Sequence, residues 1–144
     1  RILRTLLSEG YTPVVAPIGT DHEGGLYNVN ADLAAGAIAA ALGADFLMIT
    51  DVPHVRDADG SPVRSVPLAD VPAFLASGAA RDGMIPKVTA AVKALSGGAA
   101  SAWIGTLEGL GDAGPAMGAG TRFLPSARPR AVPLLPAPVR EARR

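Results

Sequence analysis

Two short stretches place reactive side chains where helices begin. Tyr27-Asn28-Val29-Asn30-Ala31-Asp32 precedes an alanine-rich run, and Asp82-Gly83-Met84-Ile85-Pro86-Lys87 opens a second amphipathic one. A helix N-terminus offers unpaired backbone N–H groups and a partial positive charge, so it attracts anions, phosphate above all. A lysine in that first turn can follow negative charge onto a phosphoryl group in transfer, and the second stretch therefore reads as phosphate chemistry. Each residue also has a plainer reading. Asp32 alone is a carboxylate that stabilises its own helix start by about 0.3–1 kcal/mol, and Lys87 alone is a solvated helix lysine. Taken together, a carboxylate and a lysine at the starts of two helices flanking one sheet can meet at its carboxyl edge, where the acid orients the amine. Asn28 and Asn30 read either as turn formers or as amides that bind a small polar substrate.

The elements that must position these residues follow from periodicity. Ile2, Leu3, Leu6 and Leu7 share one face of an opening helix that already contains Arg1, so the sequence looks truncated at its start. The run Thr12 to Pro17 is expected to be a buried strand, and Gly19 to Leu26 a turn or small hairpin. A helix is expected from Asp32 to Leu42, with Leu33, Ala37, Ile38, Ala41 and Leu42 as its apolar stripe and Gly43 ending it. Phe46 to Thr50 is apolar until its last residue, the pattern of a parallel strand covered on both faces. It delivers Thr50, Asp51 and Val52 to the carboxyl edge of the sheet, the place for a nucleotide base or ribose.

Asp57-Ala58-Asp59-Gly60 reads as a hairpin tip and lacks the further spaced ligands of a calcium loop. Val63 to Val66 is expected to form a short strand, Pro67 to Ser77 a brief helix and Gly78 to Gly83 a polar loop. Pro86 suits the first turn of the next helix, in which Val88, Ala91, Val92 and Leu95 follow at helical spacing until Gly97 and Gly98. Ala100 to Ile104 and Thr121 to Leu124 are expected as the last strands, joined by a glycine-rich connection. Repeated alternation of strand and helix predicts an α/β fold with a mostly parallel sheet.

Composition narrows the chemistry. With 144 residues, no cysteine and two histidines, His22 and His54, the chain has one domain's length and no means for disulfides, thiolate metal sites or thiol nucleophiles. The metal expectation is accordingly none, and the lack of cysteine suits the cytoplasm. Its longest apolar run, Ala34 to Ala44, falls short of the roughly 18–20 residues that span a bilayer, and no signal-peptide pattern opens the chain. Neutral net charge conceals an asymmetry: five arginines against one glutamate after Pro125 leave eight basic and twelve acidic residues in 1–125. The Arg/Pro-rich segment 126–144 is expected to be a disordered tail on a domain of residues 1–125, and it lacks the interleaved aromatics of a nucleic-acid ligand. No Walker loop, dinucleotide fingerprint or serine elbow is present. Trp103 reads as strand packing, and His54 as a loop histidine close to the nucleotide strand.

The pattern as a whole resembles a known family. Pro13-Val14-Val15-Ala16-Pro17-Ile18-Gly19, Tyr27 to Asp32 with the alanine-rich helix to Ala44, Thr50-Asp51-Val52-Pro53 and Gly83-Met84-Ile85-Pro86-Lys87 are similar, in order and spacing, to the C-terminal half of the acetylglutamate kinases of the amino acid kinase family. The resemblance covers roughly residues 3 to 105. It implies a three-layer α/β/α sandwich, incomplete here at its N-terminus, and ATP-dependent phosphorylation of the side-chain carboxylate of N-acetyl-L-glutamate, a step of arginine biosynthesis. By that likeness Asp32 and Lys87 are catalytic, Asn28 contacts the acetylated amino acid, and Thr50, Asp51, Val52, Gly83 and Met84 line the nucleotide site. The resemblance further implies that magnesium travels with ATP and that the complete protein is a homo-oligomer, and no nucleic-acid or membrane partner is expected.

The family's N-terminal half, which supplies glycine-rich phosphate loops, a further lysine and a substrate-gripping arginine, has no counterpart in the chain, so the chain alone is expected to be inactive. His54 stands where the family usually has glycine, and the sequence after Ile104 departs from the family pattern. Two alternatives stand beside this reading: a truncated or degenerate nucleotide-binding or regulatory module, and a related kinase acting on a carrier-linked aminoadipate or glutamate.

Overall fold

A computed structural model describes residues 1–80, 83–110 and 119–126. Helix α1 (Ile2–Ser8) leads by way of an extended segment into a small antiparallel hairpin of β1 (Ile18–Thr20) and β2 (Leu26–Asn28). Helix α2 (Ala31–Leu42) follows, then β3 (Asp45–Ile49), β4 (Ser65–Pro67), a 3-10 turn at Leu68–Asp70, α3 (Val71–Ala76), α4 (Met84–Ser96), β5 (Ser101–Gly105), α5 (Leu107–Leu110) and β6 (Thr121–Leu124).

The main sheet has strand order β3-β5-β6-β4. β3 pairs with β5 in parallel, β4 with β6 in parallel, and β5 with β6 antiparallel, so the expected α/β architecture with a mostly parallel open sheet is the one observed. One row of register partners, Phe46, Ala102, Phe123 and Val66, runs across all four strands and forms the floor of the core. Val88, Ala91, Ala94 and Leu95 of α4 and Val71 of α3 pack on that face. Removal of this apolar surface from water is the main favourable term in holding the layers together.

Local chemistry sets the helix boundaries. Asn30 Oδ1 accepts the Leu33 N–H at 3.0 Å, capping α2, and Gly43 ends that helix with φ of 68°, a conformation that costs other residues a Cβ clash. Arg4 Nη2 donates to the Ala41 carbonyl at 2.9 Å and ties α1 to the end of α2. Helix α4 begins at Gly83 without a side-chain cap and holds Pro86 in its first turn, where the missing N–H loses no bond.

Four expectations are corrected by the structure. Thr12 to Pro17 forms no strand: among the described residues only its last carbonyl, that of Pro17, bonds across to the far arm of the hairpin, accepting the Val29 N–H at 2.9 Å, and Val14 is 95% exposed. β3 is covered on one face only, Phe46 and Met48 lying inside while Leu47 and Ile49 are 37% and 49% exposed, because it is an edge strand and the described helices α2 and α4 pack on the same side. The buried side of α2 is Gly36 and Ala39, not the stripe led by Leu33, Ala37 and Ala41, since a helix apolar all round leaves the choice of face to its neighbours. Gly36 wins because its missing side chain admits α4: an added Cβ would lie 3.3 Å from both the Ala94 Cβ and the Phe46 ring. Finally, the span Pro67 to Ser77 is the end of β4, a 3-10 turn and the short α3, not one helix.

The glycine-rich connection contains α5, while its residues 111–118, like Arg81, Asp82 and the expected tail from Ala127 onward, lie outside the described residues.

Candidate active site

The carboxyl end of β3, the start of α2 and the start of α4 converge on one edge of the sheet. Thr50 follows β3 directly, its N–H bonded to the Gly105 carbonyl of β5 at 2.8 Å, and its hydroxyl donates to Asp51 Oδ1 at 3.0 Å. Across from this strand end, Lys87 in the first turn of α4 donates from Nζ to Asp32 Oδ2 in the first turn of α2 at 3.2 Å. The two residues are 55 positions apart in sequence, and their side chains are 27% and 31% exposed.

A cleft of about 590 Å³ opens at this edge. Its floor is Thr50, Asp51 and Val52, one wall is the loop from His54 through Arg56 to Gly60, and the other is Ala80 with Gly83, Met84 and Lys87 at the mouth of α4. Of the residues singled out from the sequence, Thr50, Asp51, Val52, Gly83, Met84 and Lys87 thus line one cavity, and Asp32 joins it through its ion pair with Lys87. Asn28 does not line it. That residue ends β2 on the exposed hairpin, paired in register with Ile18. Asn30, left open between turn former and ligand amide, acts as the cap of α2. Asp82 lies outside the described residues.

At the α4 end of the cleft the electrostatics favour an anion, while Asp51, Asp57 and Asp59 line the rest of it. Among the described residues the α4 N-terminus presents backbone N–H groups without a side-chain acceptor, Lys87 adds a positive charge with donors beyond the one used on Asp32, and no described atom crowds Gly83. Arg56 contributes a second cation on the opposite wall, its guanidinium held by the Gly60 carbonyl at 2.8 Å. His54 adds none at neutral pH, because burial first, and then the charges of Arg56 and Arg64, hold its imidazole below the ordinary value. Its Nε2 is buried with no hydrogen-bond partner among the described residues.

Beyond the cleft, the β1–β2 hairpin is organised by Asp21. Its Oδ2 accepts the Tyr27 hydroxyl at 2.7 Å, and its Oδ1 accepts the N–H groups of Glu23 and Gly25 at 2.9 and 2.7 Å. The Tyr27 bond, followed by the Gly25 N–H, keeps the Asp21 carboxyl below its usual range, and the same carboxylate raises the Tyr27 phenol.

Sequence reading missed the wall. Asp57-Ala58-Asp59-Gly60 is indeed a tight turn, with Asp57 Oδ1 accepting the Asp59 and Ser61 N–H groups, but it also lines the cavity together with Arg56. Ala80 went unnoticed as well. It is a non-glycine residue at φ of 54°, and its N–H donates to the Arg56 carbonyl at 3.3 Å, joining the wall to the segment before α4. No local signal marks either residue, because both acquire their place through contacts distant in sequence.

Comparison with known proteins bears on this geometry. The model of the amino acid kinase family matches residues 1–106. Among curated proteins, an acetylglutamate kinase of Geotalea uraniireducens is 50% identical over 104 residues, which are 72% of this chain and 36% of that protein. The chain therefore spans about a third of the length of such relatives. Among solved structures, smu.665 of Streptococcus mutans UA159 superposes with a TM-score of 0.70 at 28% identity, covering 86% of this chain and 47% of the other. The N-acetylglutamate synthase of Neisseria gonorrhoeae, solved with coenzyme A and N-acetyl-glutamate, shares the fold at a TM-score of 0.76 and 21% identity, over 85% of this chain and 30% of the synthase.

Proposed function

The chain belongs to the amino acid kinase family, and from that premise we propose that it is the nucleotide-binding part of a kinase that phosphorylates the side-chain carboxylate of N-acetyl-L-glutamate with ATP. The substrate assignment is supported by the 50% identity to a protein of that name. The observation that carries the reading is the Lys87–Asp32 ion pair at the mouth of the cleft, where two helix starts meet beside a strand end.

The chemistry asks little covalent work of the protein. A carboxylate oxygen of the substrate attacks the γ-phosphorus, the bond to the β–γ bridging oxygen breaks, and ADP leaves with the electron pair, giving an acyl phosphate. Catalysis is positioning and charge neutralisation. In this account the adenosine part of the nucleotide lies against Thr50, Asp51 and Val52 and under the Arg56–Gly60 wall, with its phosphates directed toward the N-terminus of α4. Gly83 and Met84 leave room for them there. Lys87 neutralises the oxygens of the transferring group, and Asp32 holds the ammonium in place. Asn28 meets the acetylated amino acid from the hairpin side. Magnesium arrives with ATP as part of the substrate; among the described residues no cluster of acidic or histidine side chains forms a site of its own. The complete protein is proposed to be a homo-oligomeric cytoplasmic enzyme, and no helix among the described residues is long and apolar enough to cross a membrane.

Substitutions at the pair test this. Lys87→Ala in the complete protein is expected to lower kcat by about two orders of magnitude or more, with a melting temperature close to the parent's, since partly exposed ion pairs contribute only about 0–1 kcal/mol to stability. Asp32→Asn is expected to lower kcat more than stability. Near-normal turnover in Lys87→Ala removes the residue from the mechanism, and an Asp32→Asn variant whose main defect is a lower melting temperature returns Asp32 to helix stabilisation alone.

A further inference from the structure

One buried hydroxyl fastens the base of the cleft wall. Thr121 opens β6 and is fully buried. Its Oγ1 accepts the Val55 N–H at 2.7 Å and donates to the Val63 carbonyl at 2.6 Å. Val55 and Val63 face one another at the base of the loop that returns from β3 to β4, where the Val63 N–H donates to the Val55 carbonyl at 2.9 Å. Both ends of the loop are thus fastened to β6 by a single side chain. A neighbouring bond from the Arg122 N–H to the Arg64 carbonyl at 2.9 Å fixes the returning arm only, and the longer bond from the Ala80 N–H to the Arg56 carbonyl at 3.3 Å ties the wall above its base. Above this base the loop carries Arg56 to Gly60, the residues that form the wall.

We infer that Thr121 is a positioning residue for nucleotide binding: it touches no ligand, but its hydroxyl sets the distance between the Arg56–Gly60 wall and the opposite wall at α4. The inference rests on the reading of the cleft as a nucleotide site. Only a group that donates and accepts at once can serve both bonds, and a hydroxyl does so most strongly among side chains of this size. Valine has the same shape, but it leaves the Val55 N–H and the Val63 carbonyl without their partner in a dry environment, so the loop must shift to satisfy them. The Lys87–Asp32 pair stands on α2 and α4, neither of which bonds to Thr121. Loss of the hydroxyl is therefore expected to weaken nucleotide binding selectively and leave the transfer step in place.

The test compares the complete parent protein with Thr121→Val, Thr121→Ser and Thr121→Cys, measuring the Kd for a fluorescent ADP analogue, KM for ATP and for the carboxylate substrate, and kcat. The expected result is a Kd and an ATP KM raised by about tenfold or more in Thr121→Val, with the carboxylate KM and kcat within about twofold of the parent. Thr121→Ser should bind like the parent, and Thr121→Cys, with its weaker donor, should fall between. A folded Thr121→Val that binds nucleotide as tightly as the parent, whatever its melting temperature, overturns the inference. Should Thr121→Val fail to fold, a parent-like Kd in Thr121→Cys overturns it equally. If the parent itself binds no adenine nucleotide, the reading of the cleft falls first, an outcome visible without any variant.

Discussion

Lys87 and Asp32 meet at 3.2 Å across two helices with roughly a third of each side chain in solvent. A pair so exposed adds little to stability, and in the proposed function its position at the mouth of a cleft serves the anion bound there. His54 stands differently at the same edge. Its imidazole is held below the ordinary value by burial and by Arg56 and Arg64, so the folded protein resists protonation that the unfolded chain accepts at about pH 6.5. A depressed value means a contribution present above about pH 6.5 and lost as pH falls toward the folded value. The urea midpoint of the parent should accordingly decline between about pH 6.5 and 5 more steeply than that of His54→Gln. Parallel curves for the two proteins over that window would show that His54 titrates alike folded and unfolded. The residue types behind the candidate site were readable in the sequence because helix starts advertise themselves through local chemistry, as Asn30 and Pro86 do.

At the scale of elements, the close approach of α2 to α4 decides whether Asp32 and Lys87 can meet at all. Gly36 sets that approach, with Ala94 and Phe46 at 3.3 Å from where a Cβ would stand. Gly36→Val should therefore force the helices apart, destabilise the protein by about 1–3 kcal/mol and lower kcat through the displaced pair; a variant with unchanged melting temperature and turnover would show that the helices have slack. This contact was not legible. In a helix as uniformly apolar as α2, the spacing of Leu33, Ala37 and Ala41 suggested one buried stripe while packing chose another, because tight contact favours the smallest residues and not the most apolar. The run Thr12 to Pro17 failed for a related reason: its composition is strand-like, but a strand exists only with a neighbour to bond it. α4, by contrast, buries Val88, Ala91 and Leu95 as its spacing foretold, with Val92 packed at the margin, since polar residues on its other face leave one orientation.

For the molecule as a whole, strand and helix alternation was enough for the architecture, and motif order was enough for the family. The cavity wall was beyond both, since Arg56–Gly60 is brought to α4 by Thr121, from a strand some sixty residues later, and by the Ala80 N–H. The chain spans about a third of the length of the relatives it matches, so the proposed activity is tested on the complete protein. The most direct measurement is hydroxylamine trapping of the acyl phosphate made from N-acetyl-L-glutamate and MgATP by the complete gene product that contains this chain. The account predicts hydroxamate formed in step with ADP and dependent on both substrates. Tight nucleotide binding without hydroxamate would contradict it and leave a binding module in place of a kinase.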